Sequence, residues 1–220
     1  MIQPPLTDVE VRVLGSLYEK EQTTPDSYPL SLSALTVACN QTTNRDPVMR
    51  LDEAAVSAAV NGVRRRGLVM AITPSGSRVM KFRHLLDEKL DLGPGALALL
   101  AVLMLRAPQT AGELHTRTGR LADFTDIEAV EGALEALMTR EPEPLVARLP
   151  RRPGQKEVRY AHLLSGEPVI PEATDLAAPR GAPPHPADDR VASLERAVEE
   201  LRAELAAVRA ELAEFRAQFQ

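Results

Sequence analysis

The side chains whose types and spacing could do chemistry in this sequence are cationic and amide groups, and the chemistry they suit is recognition of phosphate and base edges. Ser57, Asn61, Arg64, Arg65 and Arg66 share one short stretch, and Arg78, Lys81 and Arg83 follow it closely. Arginine and lysine attract backbone phosphate, while serine and asparagine can hydrogen-bond bases in a groove. A second basic group, Arg151, Arg152, Lys156 and Arg159, lies further along. Residues 40–49 crowd amides, hydroxyls and one arginine together, so Asn44 and Arg45 could read an adenine edge or hold phosphate. The same groups can instead cap helix ends and satisfy loop backbone, and Pro47 and Met49 favour that packed, structural turn.

Opposing features sit beside these. Asp52 and Glu53 stand where a recognition helix would begin, and arginines at positions 64–66 also suit the negative end of a helix dipole. The corresponding stretch of the second half carries Asp126, Glu128, Glu131 and Glu135, which repel phosphate and suit a protein contact. Catalysis finds no constellation: His84, His115, His162 and His185 lack metal-ligand spacing, and there is no glycine-rich phosphate loop or nucleophile elbow. Gly93-Pro94-Gly95 reads as a joint, and Cys39 beside Val37 and Ala38 reads as a small buried residue. The expectation is a non-enzymatic protein with no cofactor and no metal.

The elements that must carry these residues recur in order. Thr7 and Glu10 form a capping box before an apolar face of Val9, Val13, Leu14 and Leu17. Ser31 or Ser33 can cap a short second helix with Leu32, Leu35 and Val37 as its apolar residues, and a third helix over 52–66, with Val56, Val60 and Val63 inward, stops at Gly67. Two β-prone runs, 68–73 and 78–84, flank a Pro-Ser-Gly-Ser turn. The order then repeats: Pro94 opens a helix to Arg106, Thr110 with Glu113 caps the next, and Thr125 with Glu128 the third. Strands over 145–149 and 158–163 close the second unit around Pro153-Gly154. The expected class is mainly α with small β-hairpins (α+β), as two tandem winged-helix domains over 1–90 and 91–165.

Several residues in these units carry a resemblance to the bacterial YceH-like family. They are Glu19-Lys20, Thr23-Thr24-Pro25, Tyr28-Pro29-Leu30, Ala38-Cys39-Asn40-Gln41 and the run Thr43-Asn44-Arg45-Asp46-Pro47-Val48-Met49, joined by Pro108-Gln109-Thr110, Gly112-Glu113-Leu114 and Arg152-Pro153-Gly154 to Tyr160. The match covers roughly residues 6–165. What it implies is a tandem winged-helix fold and little biochemistry, because fold does not fix function.

Beyond the repeats, residues 166–189 are rich in proline and alanine and read as a semi-stiff linker. Over residues 190–220, Val191, Leu194, Val198, Leu201, Leu205, Val208, Leu212, Phe215 and Phe219 recur by threes and fours, the seam of a coiled coil. Early valines at a with leucines at d favour a parallel pair, and its cross-strand partners Arg190 with Glu195, Glu204 with Arg209, and Glu211 with Arg216 attract. A parallel homodimer is expected; the alternative is a helix folded back on its own chain.

Composition bounds the rest. The 220 residues carry a net charge of -5, but residues 166–220 hold 6 basic against 11 acidic groups, so the front portion is close to neutral and anion affinity must be local. Aromatic residues are 3% and tryptophan is absent, so the cores are aliphatic. One cysteine, no leader-like N-terminus and no membrane-length apolar run point to a cytoplasmic protein without a membrane partner. The leading expectation is therefore a dimeric protein associated with double-stranded DNA, or a transcription regulator. The rival is a protein-interaction adaptor similar to the tandem winged-helix subunits of chromosome-condensing complexes, without direct DNA binding.

Overall fold

Most helix starts among the described residues are set by short polar side chains that satisfy the first free amides, those at Leu86 and Pro94 excepted. In α1 (Asp8–Thr23) the Thr7 hydroxyl accepts from the Glu10 N–H at 3.3 Å, and the Glu10 carboxylate accepts from the Thr7 N–H at 2.9 Å. A short 3-10 turn (Pro25–Ser27) and β1 (Leu30–Ser31) lead to α2 (Leu32–Cys39), capped by Ser31 rather than Ser33. Asp52 caps α3 (Glu53–Arg65) through the Ala55 N–H at 2.7 Å. At the far end of α3, Gly67 takes φ 69°, its N–H reaching the Arg64 carbonyl and the Leu68 N–H that of Val63, a Schellman closure that glycine makes cheap. The computed structural model describes residues 5–73, 76, 78–151 and 157–168.

The first unit closes with β2 (Val69–Ile72) and β3 (Lys81–His84), antiparallel, with β1 on the other side of β3. A short helix not expected from the sequence, α4 (Leu86–Leu90), then leads to the second unit. That unit repeats the order with α5 (Pro94–Leu105), α6 (Ala111–Thr118), α7 (Ile127–Met138) and the hairpin β4 (Val146–Leu149) and β5 (Arg159–His162). The start of α7 departs from expectation: Asp126 is the cap, accepting from the Ala129 N–H at 2.8 Å, and Thr125 donates to the Asp126 carboxylate. The described chain is thus α+β, helices with small antiparallel hairpins, and its order is consistent with a duplicated three-helix-and-hairpin unit.

Residues 5–168 fall within one compact unit, with the two repeats joined by α1 lying against α5. The apolar face expected for α1 is too narrow a description. The helix is buried on all sides from Glu10 to Glu19, because α2 and α3 cover one flank and α5 the other. Gly15 makes the close approach possible: a Cβ there would stand 2.9 Å from Leu105 Cγ and 3.1 Å from Met104 Cβ. Helix α5 is correspondingly buried without a break from Leu97 to Leu105. Val56, Val60 and Val63 of α3 are core residues as expected, but Val37 of α2 is 67% exposed, its inward places taken by Leu35, Ala38 and Cys39. The linker over 166–189 lies beyond the described residues from 169 onward, as does the whole heptad segment.

Candidate nucleic-acid interface

Helix α3 divides into two faces. Val56, Ala59, Val60 and Val63 point into the core, leaving Glu53, Ala54, Ala58, Asn61, Arg64 and Arg65 exposed and Ser57 half-buried. The outer face therefore opens with the acidic Glu53, is small through Ala54, Ser57 and Ala58, and ends basic at Arg64 and Arg65. Arg64 Nη1 donates to Asn61 Oδ1 at 3.3 Å, which links the amide and the cation on one surface. Register in the hairpin sets the next residues: Met70 pairs Arg83 and Ile72 pairs Lys81, so Lys81 and Arg83 share the strand face opposite buried Phe82 and His84. A shallow depression between Asn61, Arg64 and Arg65 of α3 and Val69, Met70 and Ala71 of β2 joins helix to hairpin. Arg83 is engaged with Glu88 of α4 at 3.1 Å, whereas Arg78 is exposed beside the turn. Arg66 reaches the Glu10 carboxylate at 3.5 Å and so braces α3 against α1.

Arg45 is placed differently from the rest of the candidates. Its side chain is 0% exposed and pairs with Glu19 at 2.6 Å while donating to the carbonyls of Ala38 and Asn44 and to Gln41. No part of this guanidinium faces solvent, so it is a brace of the 40–49 loop. Asn44, at φ 58°, accepts from Arg106 at 2.8 Å, and Asn40 clamps Leu51 through both its amide atoms at 2.7 Å. The Asp46 N–H donates to the Leu105 carbonyl, which ties the loop to the end of α5. This geometry matches the structural reading of the loop. Arg12, which the sequence did not single out, lies beneath it, donating to the carbonyls of Cys39 and Pro47. Burial, then the charge of Arg45, pushes the Arg12 guanidinium below its ordinary value.

The second unit offers less to an anion. Arg151 is exposed, but Arg152 and Lys156 lie outside the described residues. Arg159 turns inward, donating to the Pro108 carbonyl at 2.7 Å and to Glu113 at 2.9 Å. Burial raises the Glu113 carboxyl, but the Thr110 N–H and the cations Arg159 and Arg117 outweigh it and hold it below its usual range. The outer face of α7 exposes Glu128, Glu131 and Glu135. The two third helices therefore present opposite charge.

Titratable groups also meet where the sequence showed only scatter. His84 accepts from the Leu86 N–H at Nδ1 and donates from Nε2 to Glu21 at 2.7 Å, with Tyr18 and Tyr28 against its ring. The Tyr18 hydroxyl donates to the Pro94 carbonyl, and that of Tyr28 accepts from the His84 N–H, so both are engaged with backbone. Burial pushes Tyr18 up to about 12 and Tyr28 higher still. The cluster pins β3 and α5 to α1, and its members come from positions 18, 21, 28 and 84, which no local pattern in the sequence joins. Cys39 is buried, and burial raises its thiol. Among the described residues no group of three or more histidines, cysteines and carboxylates could hold a metal ion, and no helix is long and apolar enough to cross a membrane.

Comparison with known proteins gives a family without an assigned activity. Residues 6–155 match the family described as "Protein of unknown function, DUF480". The UPF0502 protein of Geobacter sulfurreducens is 50% identical over 217 residues, 98% of each chain. One from Geotalea uraniireducens is 52% identical over 203 residues, covering 92% of this chain and 90% of that protein. Another, from Opitutus terrae, is 46% identical over 199 residues, 90% of this chain and 84% of its own.

Proposed function

The chain belongs to the DUF480 family of proteins of unknown function, and from that premise we propose that it is a non-enzymatic, cytoplasmic regulatory protein that binds double-stranded DNA through the first of two tandem winged-helix units. The observation that supports this reading is the shared depression between Asn61, Arg64 and Arg65 of α3 and Val69, Met70 and Ala71 of β2, with Lys81 on the outer face of the same hairpin. A helix with a small outer face enters a major groove, and the adjoining hairpin reaches neighbouring phosphate. Arg64 and Arg65 lie at the C-terminal end of α3, so their part is chiefly backbone attraction, with Asn61 and Ser57 nearer the bases. Asp52 is occupied as the helix cap. The heptads over 190–220 supply a parallel homodimer, whose two weak sites reinforce each other by effective concentration.

Filter binding of the full chain to mixed duplex DNA across a salt series tests this. Affinity falls steeply as salt rises, and the double variant Arg64→Ala/Arg65→Ala flattens the log–log slope by about 2 while weakening binding to all sequences alike. Retention that ignores salt, or no retention at all, refutes it.

A second reading is favoured by α7, whose exposed Glu128, Glu131 and Glu135 flank Ile127, itself 46% exposed. That face suits a basic protein partner, and the protein would then be an adaptor. The adaptor reading expects loss of partner capture in Glu131→Lys/Glu135→Lys and no DNA retention in the native chain.

A further inference from the structure

Exposed large apolar side chains are few among the described residues, and three of them, Met70, Val79 and Met80, sit on the β2–β3 hairpin or directly before β3. Val79 is 54% exposed and Met80 47%, and in the chain they stand between the cations Arg78 and Lys81. The last rung of the hairpin is Ile72 with Lys81, so Arg78, Val79 and Met80 lie just past the paired strands. From Arg83, opposite Met70, to Met80 an extended chain advances about 10 Å. The chemistry thus changes along the hairpin: Met70 beside Arg64 and Arg65 in the shared depression, then Lys81 and Arg83 on the outer face, then Arg78 with the apolar pair. A duplex offers a matching succession to a helix in its major groove. The groove floor gives way to the phosphate wall and then to the next minor groove, about 6 Å wide, which is closed to a helix but open to single side chains.

We infer that Arg78, Val79 and Met80 enter the minor groove next to the α3 contact, and that the Met80 side chain wedges between two base pairs, unstacking them and bending the duplex. The inference rests on α3 meeting DNA as proposed above and adds what the hairpin does there. Apolar side chains part base steps because a wedge must replace stacking with van der Waals contact while leaving no polar atom of its own buried and unpaired. Methionine suits that place, being unbranched and polarisable, whereas the β-branched Val79 is stiff and packs on the sugars instead. Arg78 and Lys81, on either side of the pair in the chain, complement the phosphates of the two strands that wall the groove. Opening costs least at flexible pyrimidine–purine steps, so the wedge selects DNA containing TpA without reading a base edge. Two apolar side chains bury too little area to hold a lipid surface, whereas a groove needs only one wedge.

The full chain is titrated with two duplexes: alternating adenine–thymine, in which every second step is TpA, and the homopolymer of adenine on thymine, which is stiff and has none. The alternating duplex carries 2-aminopurine in place of some adenines, whose emission rises on unstacking, and a dye pair at its ends reports bending. The native chain is expected to raise the emission, shorten the end-to-end distance and hold the alternating duplex about tenfold more tightly than the homopolymer. Met80→Ser should abolish the rise and the preference while leaving the salt slope as it was, because no phosphate contact is lost. Arg78→Gln should instead flatten that slope by about 1. Both residues are exposed, so each variant should melt with the native chain. Native binding to both duplexes alike with no rise in emission, or a rise that Met80→Ser keeps, overturns the wedge and leaves the α3 reading intact. Cosedimentation with phosphatidylglycerol vesicles that Met80→Ser abolishes, with DNA binding unchanged, overturns it in favour of a lipid surface. Retention of neither duplex at low salt overturns both readings together.

Discussion

Arg45 and Arg64 are separated by less than twenty residues and have opposite surroundings, one sealed against Glu19 and the other open on α3. Arg45→Met therefore strips a buried carboxylate of its partner and should cost about 3–5 kcal/mol in chemical denaturation. Arg64→Ala, an exposed change, should stay within about 0.5 kcal/mol while weakening DNA retention. Sequence pointed to both arginines by type, but could not tell a solvated cation from a sealed one, because the partners of Arg45 come from positions 19, 38 and 41. The same blindness hid Arg12, whose setting only the packing of α1 defines. His162 adds a dependence on acidity. Burial lowers it from 6.5 to about 4, with the charge of Asp8 opposing the shift weakly. Between those values the unfolded chain binds a proton that the folded chain refuses, so the stability due to neutral His162 is complete above pH 6.5 and is lost as pH falls toward 4. Melting temperatures measured from pH 4 to 7 should show that decline, and His162→Gln should make it shallower.

Helices and hairpins were legible in outline because their signals are local. Thr7 with Glu10 and Thr110 with Glu113 close their capping boxes, Asp52 caps α3, and Gly67 ends it. Thr125 misled because Asp126, one residue on, bonds the Ala129 N–H and takes the cap itself. Val37 misled because α2 is short and its burial is set by where α1 and α3 meet it, which no period of eight residues fixes. The role of Gly15 was illegible for a similar reason: its need for smallness comes from Leu105 and Met104, far along the chain. Gly15→Val should push α1 from α5 and cost about 1–3 kcal/mol or more. Gly132 of α7 is the contrast, with nothing within 4 Å of an added Cβ, so Gly132→Ala should stabilise by about 0.4–1 kcal/mol. Parallel urea titrations of the two variants check the pair.

Three helices and a hairpin were readable twice within residues 5–168, though β1 and α4 were not, and neither was the joining of the halves, since the joint at 93–95 gives no sign that α1 and α5 share a core. Charge follows a similar division: α3 presents Arg64 and Arg65 outward where α7 presents Glu128, Glu131 and Glu135, and the net charge of -5 conceals both. Two copies linked through the heptads would place two basic surfaces on one assembly. Sedimentation of the full chain should give a dimer, and Leu201→Pro with Leu205→Pro, which break the seam, should give a monomer with weaker DNA retention. Amide hydrogen exchange of the full chain with and without duplex DNA addresses the interface itself. Protection should appear along Glu53–Arg65 and the strands Val69–Ile72 and Lys81–His84, and be absent from Ile127–Met138. Protection centred on Ile127–Met138, or none anywhere at low salt, would contradict the assignment of α3 and its hairpin as the DNA-binding surface.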